Sequence, residues 1–304
     1  MKLAFSRLLA AVLLLLGGVG AGHAPALARS EARGALLAPA LWEVRDADTT
    51  IYLFGTVHVL KPGTDWFKGG VRRAFDQSDE VVLEIIEPDD PNQMASIMSA
   101  KAIAQDGAPL AGRLESDARG RYQAAMEANG LPWQAFEMFQ PWMAGLALSV
   151  APLEKLGYKV DQGVEKTLAA AAKIAGKKID ALETPEQQIG YFASLPMEQQ
   201  VIFLNATVEG LGDMEAQFAS LIQHWQAGEP EELAKEMNES LETTPELARI
   251  LLFQRNADWA QWIKARMERP GTVFLAVGAG HLAGEHSVQD QLKALGIPSI
   301  RVGE

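Results

Sequence analysis

Two stretches near opposite ends of the chain share one design, and that repetition constrains the fold more than any other feature. Thr50-Ile-Tyr-Leu-Phe-Gly55-Thr-Val-His58 and Thr272-Val-Phe-Leu-Ala-Val-Gly278-Ala-Gly-His281 are each an apolar run that stops in Gly-x-x-His. A short continuous apolar run bounded by a glycine turn is the pattern of a strand buried on both faces, as in a parallel sheet. In open α/β sheets ligands gather outside the carboxyl ends of the strands. Both histidines fall at such ends, so the two segments point to one shared site.

The chain between them supplies the rest of the sheet. Leu41–Arg45 and Thr50–Val57 flank a polar Asp46-Ala-Asp48 turn, which reads as a hairpin. Trp66–Gln77 carries Phe67, Val71, Ala74 and Phe75 at helical spacing, and the β-branched run Glu80–Ile86 follows as a buried strand. Strand, helix, strand implies a βαβ-like crossover. From Pro88 to about Gly176 the pattern is helical, with Asp161 as the expected N-cap of a helix ending at Ala175. Lys177–Leu182 is a short strand ending at Glu183, and Thr184-Pro-Glu-Gln187 opens a helix with a cap and a first-position proline. Helix continues through Pro196–Gly228 and Pro230–Leu241, and Thr244 opens a long one reaching Glu268. Thr272–Val277, a helix near Ser287–Leu295 and Ile297–Val302 return the chain to the sheet. The expected fold is α/β: a central mixed sheet flanked by helices, one domain over 41–304, with a helical insertion at about 88–176.

Residues 1–28 read as a secretory signal: Lys2 and Arg7 precede the apolar Leu8–Leu16, and Ala26-Leu-Ala28 is a small-x-small cleavage site. The apolar run is shorter than the ~20 residues of a bilayer span, which disfavours the competing reading of an uncleaved anchor. Residues 29–40 form a flexible lead-in, and the mature protein is expected to be periplasmic or secreted with no stable membrane anchor. Cleavage removes two bases and no acid, turning the formal charge of -12 into -14. Such acidity argues against nucleic acid or anionic lipid as partners and is compatible with a metal or cationic ligand. With no cysteine in the chain, thiolate ligands, disulfides and a Cys nucleophile are excluded.

His58, Glu84, Glu183 and His281 all fall at expected strand ends, and imidazoles with carboxylates are the ligands of borderline and hard divalent cations. A lone Gly-x-x-His is more often a satisfied turn histidine than a ligand; the matched pair strengthens the functional reading. Glu84 at the end of an apolar strand must be paired, metal-bound or at the strand's tip, because an unpaired buried carboxylate costs several kcal/mol. His224 reads as a surface or packing residue, and His286 as help in capping the last helix.

Phe54-Gly-Thr-Val-His58, Leu182-Glu-Thr-Pro-Glu-Gln187, Arg255-Asn256 with Trp259, and Val277-Gly-Ala-Gly-His-Leu-Ala-Gly-Glu285, in this order, resemble the TraB/PrgY/GumN family, to which the TIKI-like metalloproteases belong. The resemblance spans the chain from about Leu41. It implies a fold related to the erythromycin-esterase and ChaN-like group, and a divalent metal, Mn²⁺ or Co²⁺ with Zn²⁺ as an alternative, held by His58, His281 and Glu84. Glu84 or Glu165 would accept a proton, and Arg255 and Asn256 would serve the site. Gly55, Gly278, Glu183 and Gln187 would support it. Where relatives have Gly-Val/Ile-Asp this chain has Gly163-Val-Glu165, one methylene longer. For Arg255 two roles stay open: binding a substrate carboxylate or transition-state charge, or an ion pair with Glu183 or Glu84. The implied function is metal-dependent hydrolysis of a peptide or small molecule; the alternative is a non-catalytic haem-, metal- or peptide-signal-binding protein.

Overall fold

The computed structural model describes residues 38–241 and 244–303. The expected signal and residues 29–37 of the lead-in lie outside the described residues. Six strands form one mixed sheet: β1 (Leu41–Arg45), β2 (Thr49–Thr56), β3 (Glu80–Leu83), β4 (Lys178–Ala181), β5 (Gly271–Gly278) and β6 (Ile300–Arg301). Their spatial order is β4-β3-β5-β2-β1-β6. β1 and β2 make the expected antiparallel hairpin, while β2, β5, β3 and β4 run parallel. The last long strand, β5, inserts between β2 and β3. Gly55 pairs with Val277 and Thr56 with Gly278, so the two Gly-x-x-His motifs leave the sheet side by side.

The helices are α1 (Gly69–Gln77), α2 (Pro91–Ala102), α3 (Ser116–Ala128), α4 (Pro141–Lys155), α5 (Val164–Ile174), α6 (Pro185–Ala193), α7 (Met197–Gly210) and α8 (Met214–Ala227). They continue with α9 (Pro230–Leu241), α10 (Pro245–Ala248), α11 (Gln254–Arg266) and α12 (Val288–Ala294). Alternate strand residues feed two apolar layers, as the period-2 geometry of a strand requires. Phe54, Val81, Leu83 and Phe274 pack with Phe75 of α1, Leu168 of α5 and Phe218 and Trp225 of α8. Ile51, Leu53, Val82, Val273 and Leu275 pack on the opposite face with Trp259 and Ile263 of α11 and Leu292 of α12. A separate helical core joins Ala102, Trp142, Ile189, Phe203 and Leu251, so the helical mass extends past residue 176.

Two local expectations are corrected. The helix after the insertion starts at Val164 with Gly163, not Asp161, at its N-cap; Asp161 lies in a 3-10 turn. Glycine is needed there because a Cβ on residue 163 would sit 2.5 Å from the His58 carbonyl oxygen. The run from Pro196 to Gly228 is two helices, broken after Gly210. The last helix is capped by Ser287, whose side chain accepts from Asp290 N. His286, at a φ of 61°, precedes it and donates its backbone N–H to Asp290.

The long helix from Thr244 forms with one irregularity that positions the site. Between α10 and α11 the residues Arg249–Phe253 make a π-helical turn. Buried positions along this stretch fall in steps of four: Leu247, Leu251, Arg255, Trp259 and Ile263. In an α-helix four residues turn about 400°, so such a stripe drifts about 40° per step. The wider π turn offsets that drift and keeps Arg255 and Trp259 aimed at the sheet.

Candidate active site

Four parallel strands end side by side, and the residues just past their tips converge. In the order of the sheet these are Glu183 after β4, Glu84 after β3, His281 after β5 and His58 after β2. All four are buried. α5 adds Glu165 from its first turn, and α11 adds Arg255, Asn256 and Trp259 from above.

Arg255 is the hub. Its Nε donates to Glu183 Oε1 at 2.8 Å, and its Nη2 donates to Glu84 Oε2 at 2.7 Å and to Glu183 Oε2 at 3.0 Å. Its Nη1 donates to the Leu251 carbonyl and to His281 Nε2, both at 3.1 Å. A guanidinium has five N–H donors, and all five are used. The ion-pair role is therefore realised with both Glu183 and Glu84, and no donor is left for a substrate carboxylate in this conformation. The two carboxylates hold the guanidinium charged against the opposing effect of burial. Burial in turn pushes the Glu183 carboxyl up, with Arg255 opposing.

Glu84 is engaged at both oxygens. Oε1 accepts from Gly278 N at 2.6 Å, and Oε2 accepts from Gln188 Nε2 at 2.8 Å besides Arg255. The structure thus gives Gly278 a direct part in the site through its N–H. Gly55 acts through close approach: a Cβ there would lie 3.0 Å from Ala279 Cα, and its carbonyl accepts from Trp225 Nε1 at 2.8 Å. Gln187 does not reach the cluster. It makes the capping box of α6, its side chain accepting from Thr184 N and its backbone N–H donating to Thr184 Oγ1. Gln188, the next residue, contacts Glu84, and Trp259 Nε1 donates to Glu183 Oε1 at 3.0 Å.

The two histidines differ. Asn256 Nδ2 donates to the His286 carbonyl, which turns its Oδ1 toward His281 Nδ1 at 2.5 Å. His281 therefore carries its proton on Nδ1 and offers the Nε2 lone pair to Arg255. Burial, the Arg255 charge and the nearby His58 push its pKa well below the ordinary value, so this ring is neutral. His58 is the reverse. Its Nδ1 lies 2.6 Å from Glu165 Oε1, off the ideal hydrogen-bond angle. Burial acts to lower the His58 pKa, but Glu165 and, further off, Glu84 outweigh it and raise it. Glu165 is held below the ordinary range because His58 and the Thr56 hydroxyl outweigh its burial. His58 Nε2 is buried without a hydrogen-bond partner among the described residues.

A divalent metal needs about three open donors here, and the expected set does not present them. His58 Nε2 is open, but His281 Nε2 and both Glu84 oxygens are already engaged. Among the described residues no group of three His, Asp or Glu side chains is disposed to hold a metal ion. The residues as arranged do not fit the expected metal. His224 lies elsewhere, on α8, against Glu229 at 2.8 Å and Glu236 at 3.4 Å.

Fold and site together define an α/β protein whose buried histidine–carboxylate cluster sits outside the carboxyl ends of parallel strands. A family model described as the TraB/PrgY/gumN family matches residues 40–299, and the chain belongs to that family. It is 22% identical to the uncharacterized protein YbaP of Escherichia coli (strain K12), covering 80% of this chain and 87% of that protein. An uncharacterized protein of Treponema pallidum is also 22% identical, over 83% of this chain and 79% of its own length. The metalloprotease TIKI2 of Danio rerio is 26% identical over 81% of this chain and 57% of its own length. No solved structure matches the chain.

Proposed function

We propose that this protein is a hydrolase acting on peptide-type bonds outside the cytoplasm, and that His58 Nε2 is its reactive atom. The single observation that carries the reading is this buried imidazole nitrogen, open while its ring is backed by Glu165 at the other nitrogen. In that pairing the carboxylate orients the ring and stabilises the imidazolium that forms when Nε2 takes a proton from an attacking water. The same imidazolium then returns the proton to the departing amine. Arg255 and Asn256 act as positioning residues, fixing Glu84, Glu183 and His281. The substrate class rests on the similarity to TIKI2, named a metalloprotease, and export rests on the expected signal at residues 1–28.

The name of the TIKI relatives implies a metal without saying which, and Mn²⁺, Co²⁺ and Zn²⁺ are the ions expected from the sequence. Metal dependence therefore enters the test as a separate arm. Peptide hydrolysis is measured for the wild type, His58→Gln and Glu165→Gln, each with chelator and with each metal added. Loss of turnover in His58→Gln is the expected outcome; equal turnover in wild type and His58→Gln under every metal condition sinks the reading. The closed packing around Arg255 favours one alternative, a non-catalytic binding protein. Haem titration giving a His58-dependent Soret shift without hydrolysis would identify it.

A further inference from the structure

The misfit between the expected metal set and the observed network is itself informative. We infer that Arg255 is the resident cation of the strand-end cluster, and that its guanidinium and a divalent metal ion are mutually exclusive occupants of the same donors. Those donors are the carboxylate of Glu84 and the Nε2 lone pair of His281. Both are expected ligands, and both accept hydrogen bonds from Arg255, at 2.7 Å and 3.1 Å. A nitrogen lone pair serves one partner at a time. Zn–N contacts of about 2.0–2.1 Å leave no room for a guanidinium hydrogen-bonded to the same nitrogen.

Charge points the same way. The cluster gathers three carboxyl groups, Glu84, Glu165 and Glu183, around the one guanidinium of Arg255. Arg255 is 2% exposed and spends four of its donors on Glu84, Glu183 and His281 and the fifth on the Leu251 carbonyl, so it serves as the main internal counter-charge. Removing it leaves one more uncompensated negative charge and frees the His281 lone pair. Both changes favour a divalent cation. A divalent ion about 5 Å from a retained guanidinium would feel repulsion at an effective dielectric near 20 large enough to change affinity by more than about tenfold. Metal entry in the wild type thus requires the Arg255 side chain to withdraw from Glu84 and His281. None of this depends on whether the protein hydrolyses anything.

The test is Mn²⁺ and Co²⁺ binding by calorimetry on the purified protein, with thermal unfolding as a second readout. Arg255→Met is expected to bind one ion at least about tenfold more tightly than wild type, and added metal should raise its Tm more. Arg255→Lys keeps the charge but not the fork, and should gain affinity by a smaller factor. His281→Ala placed in either variant should abolish the gain, separating binding in the cluster from binding elsewhere. Should Arg255→Met fail to fold without metal, recovery of folded protein on adding Mn²⁺ supports the inference, and Arg255→Lys decides it independently. Wild type binding as tightly as both variants, or a gain that survives His281→Ala, overturns it.

Discussion

Replacing Glu165 with glutamine probes the His58 dyad with the least change in shape. The substitution keeps an oxygen near His58 Nδ1 and removes the charge that lies 2.6 Å from it. That charge is the main influence raising the His58 pKa against the effect of burial. The titration of His58 should therefore move down, toward or below 6.5, in Glu165→Gln. A charge-assisted contact of this kind contributes about 1.5–3 kcal/mol, and the 17% exposure of the Glu165 side chain places the loss toward the lower end. For turnover, removing the support of a general base costs on the order of 10²–10⁴ in kcat. The assay is a pair of pH titrations, one of the His58 ring by NMR and one of peptide hydrolysis. In the wild type the rising limb of activity should lie above pH 6.5, because His58 must lose its proton to act as a base. An unchanged His58 titration, or an activity limb that stays in place, would refute the reasoning.

Four further outcomes follow from contacts in and around the site. The stability difference between wild type and Glu165→Gln should be greatest between pH 4.5 and 6.5. The raised His58 value makes its contribution fade as pH climbs past its folded pKa, and the depressed Glu165 value makes its contribution fade as pH falls below 4.5. His281 acts in the opposite sense: its depressed value means the unfolded chain takes up the proton first, so wild type should lose stability below pH 6.5 relative to His281→Gln, as denaturant melts would show. Gly163→Ala pushes a Cβ to 2.5 Å from the His58 carbonyl oxygen and should cost about 1–3 kcal/mol in chemical denaturation; a neutral result would mean the α5 start is free to shift. Trp259→Phe deletes the Nε1 donor to Glu183 and should cost about 1–3 kcal/mol, with calorimetry as the check.

The strand tips were the legible part of this site. Apolar runs ending in Gly-x-x-His, an apolar strand ending in Glu84 and a short one ending in Glu183 name four of its members from local pattern alone. Their adjacency was not legible, because nothing local to Thr272–Val277 states that β5 inserts between β2 and β3. The distinction between Gln187 and Gln188 was available: Thr184-Pro-Glu-Gln187 is a capping-box pattern, which turns Gln187 back onto its own helix end and leaves the next position to face the sheet. The four-residue spacing of buried positions from Leu247 to Ile263 was a second available signal, since a helix buried in steps of four needs a wider turn somewhere along it. The choice of Gly163 over Asp161 as the cap had no local sign. It is set by the His58 backbone, more than a hundred residues earlier.

The most direct test of the central claim, that His58 is the open, carboxylate-backed imidazole and His281 a neutral ring locked by Asn256 and Arg255, is imidazole ¹⁵N NMR on the histidine-labelled protein. Between pH 5 and 8 the account predicts a His281 ring that stays neutral with its proton on Nδ1. It predicts a His58 ring that titrates above 6.5. A His281 ring that titrates normally, beside a His58 ring that stays neutral throughout, would contradict it.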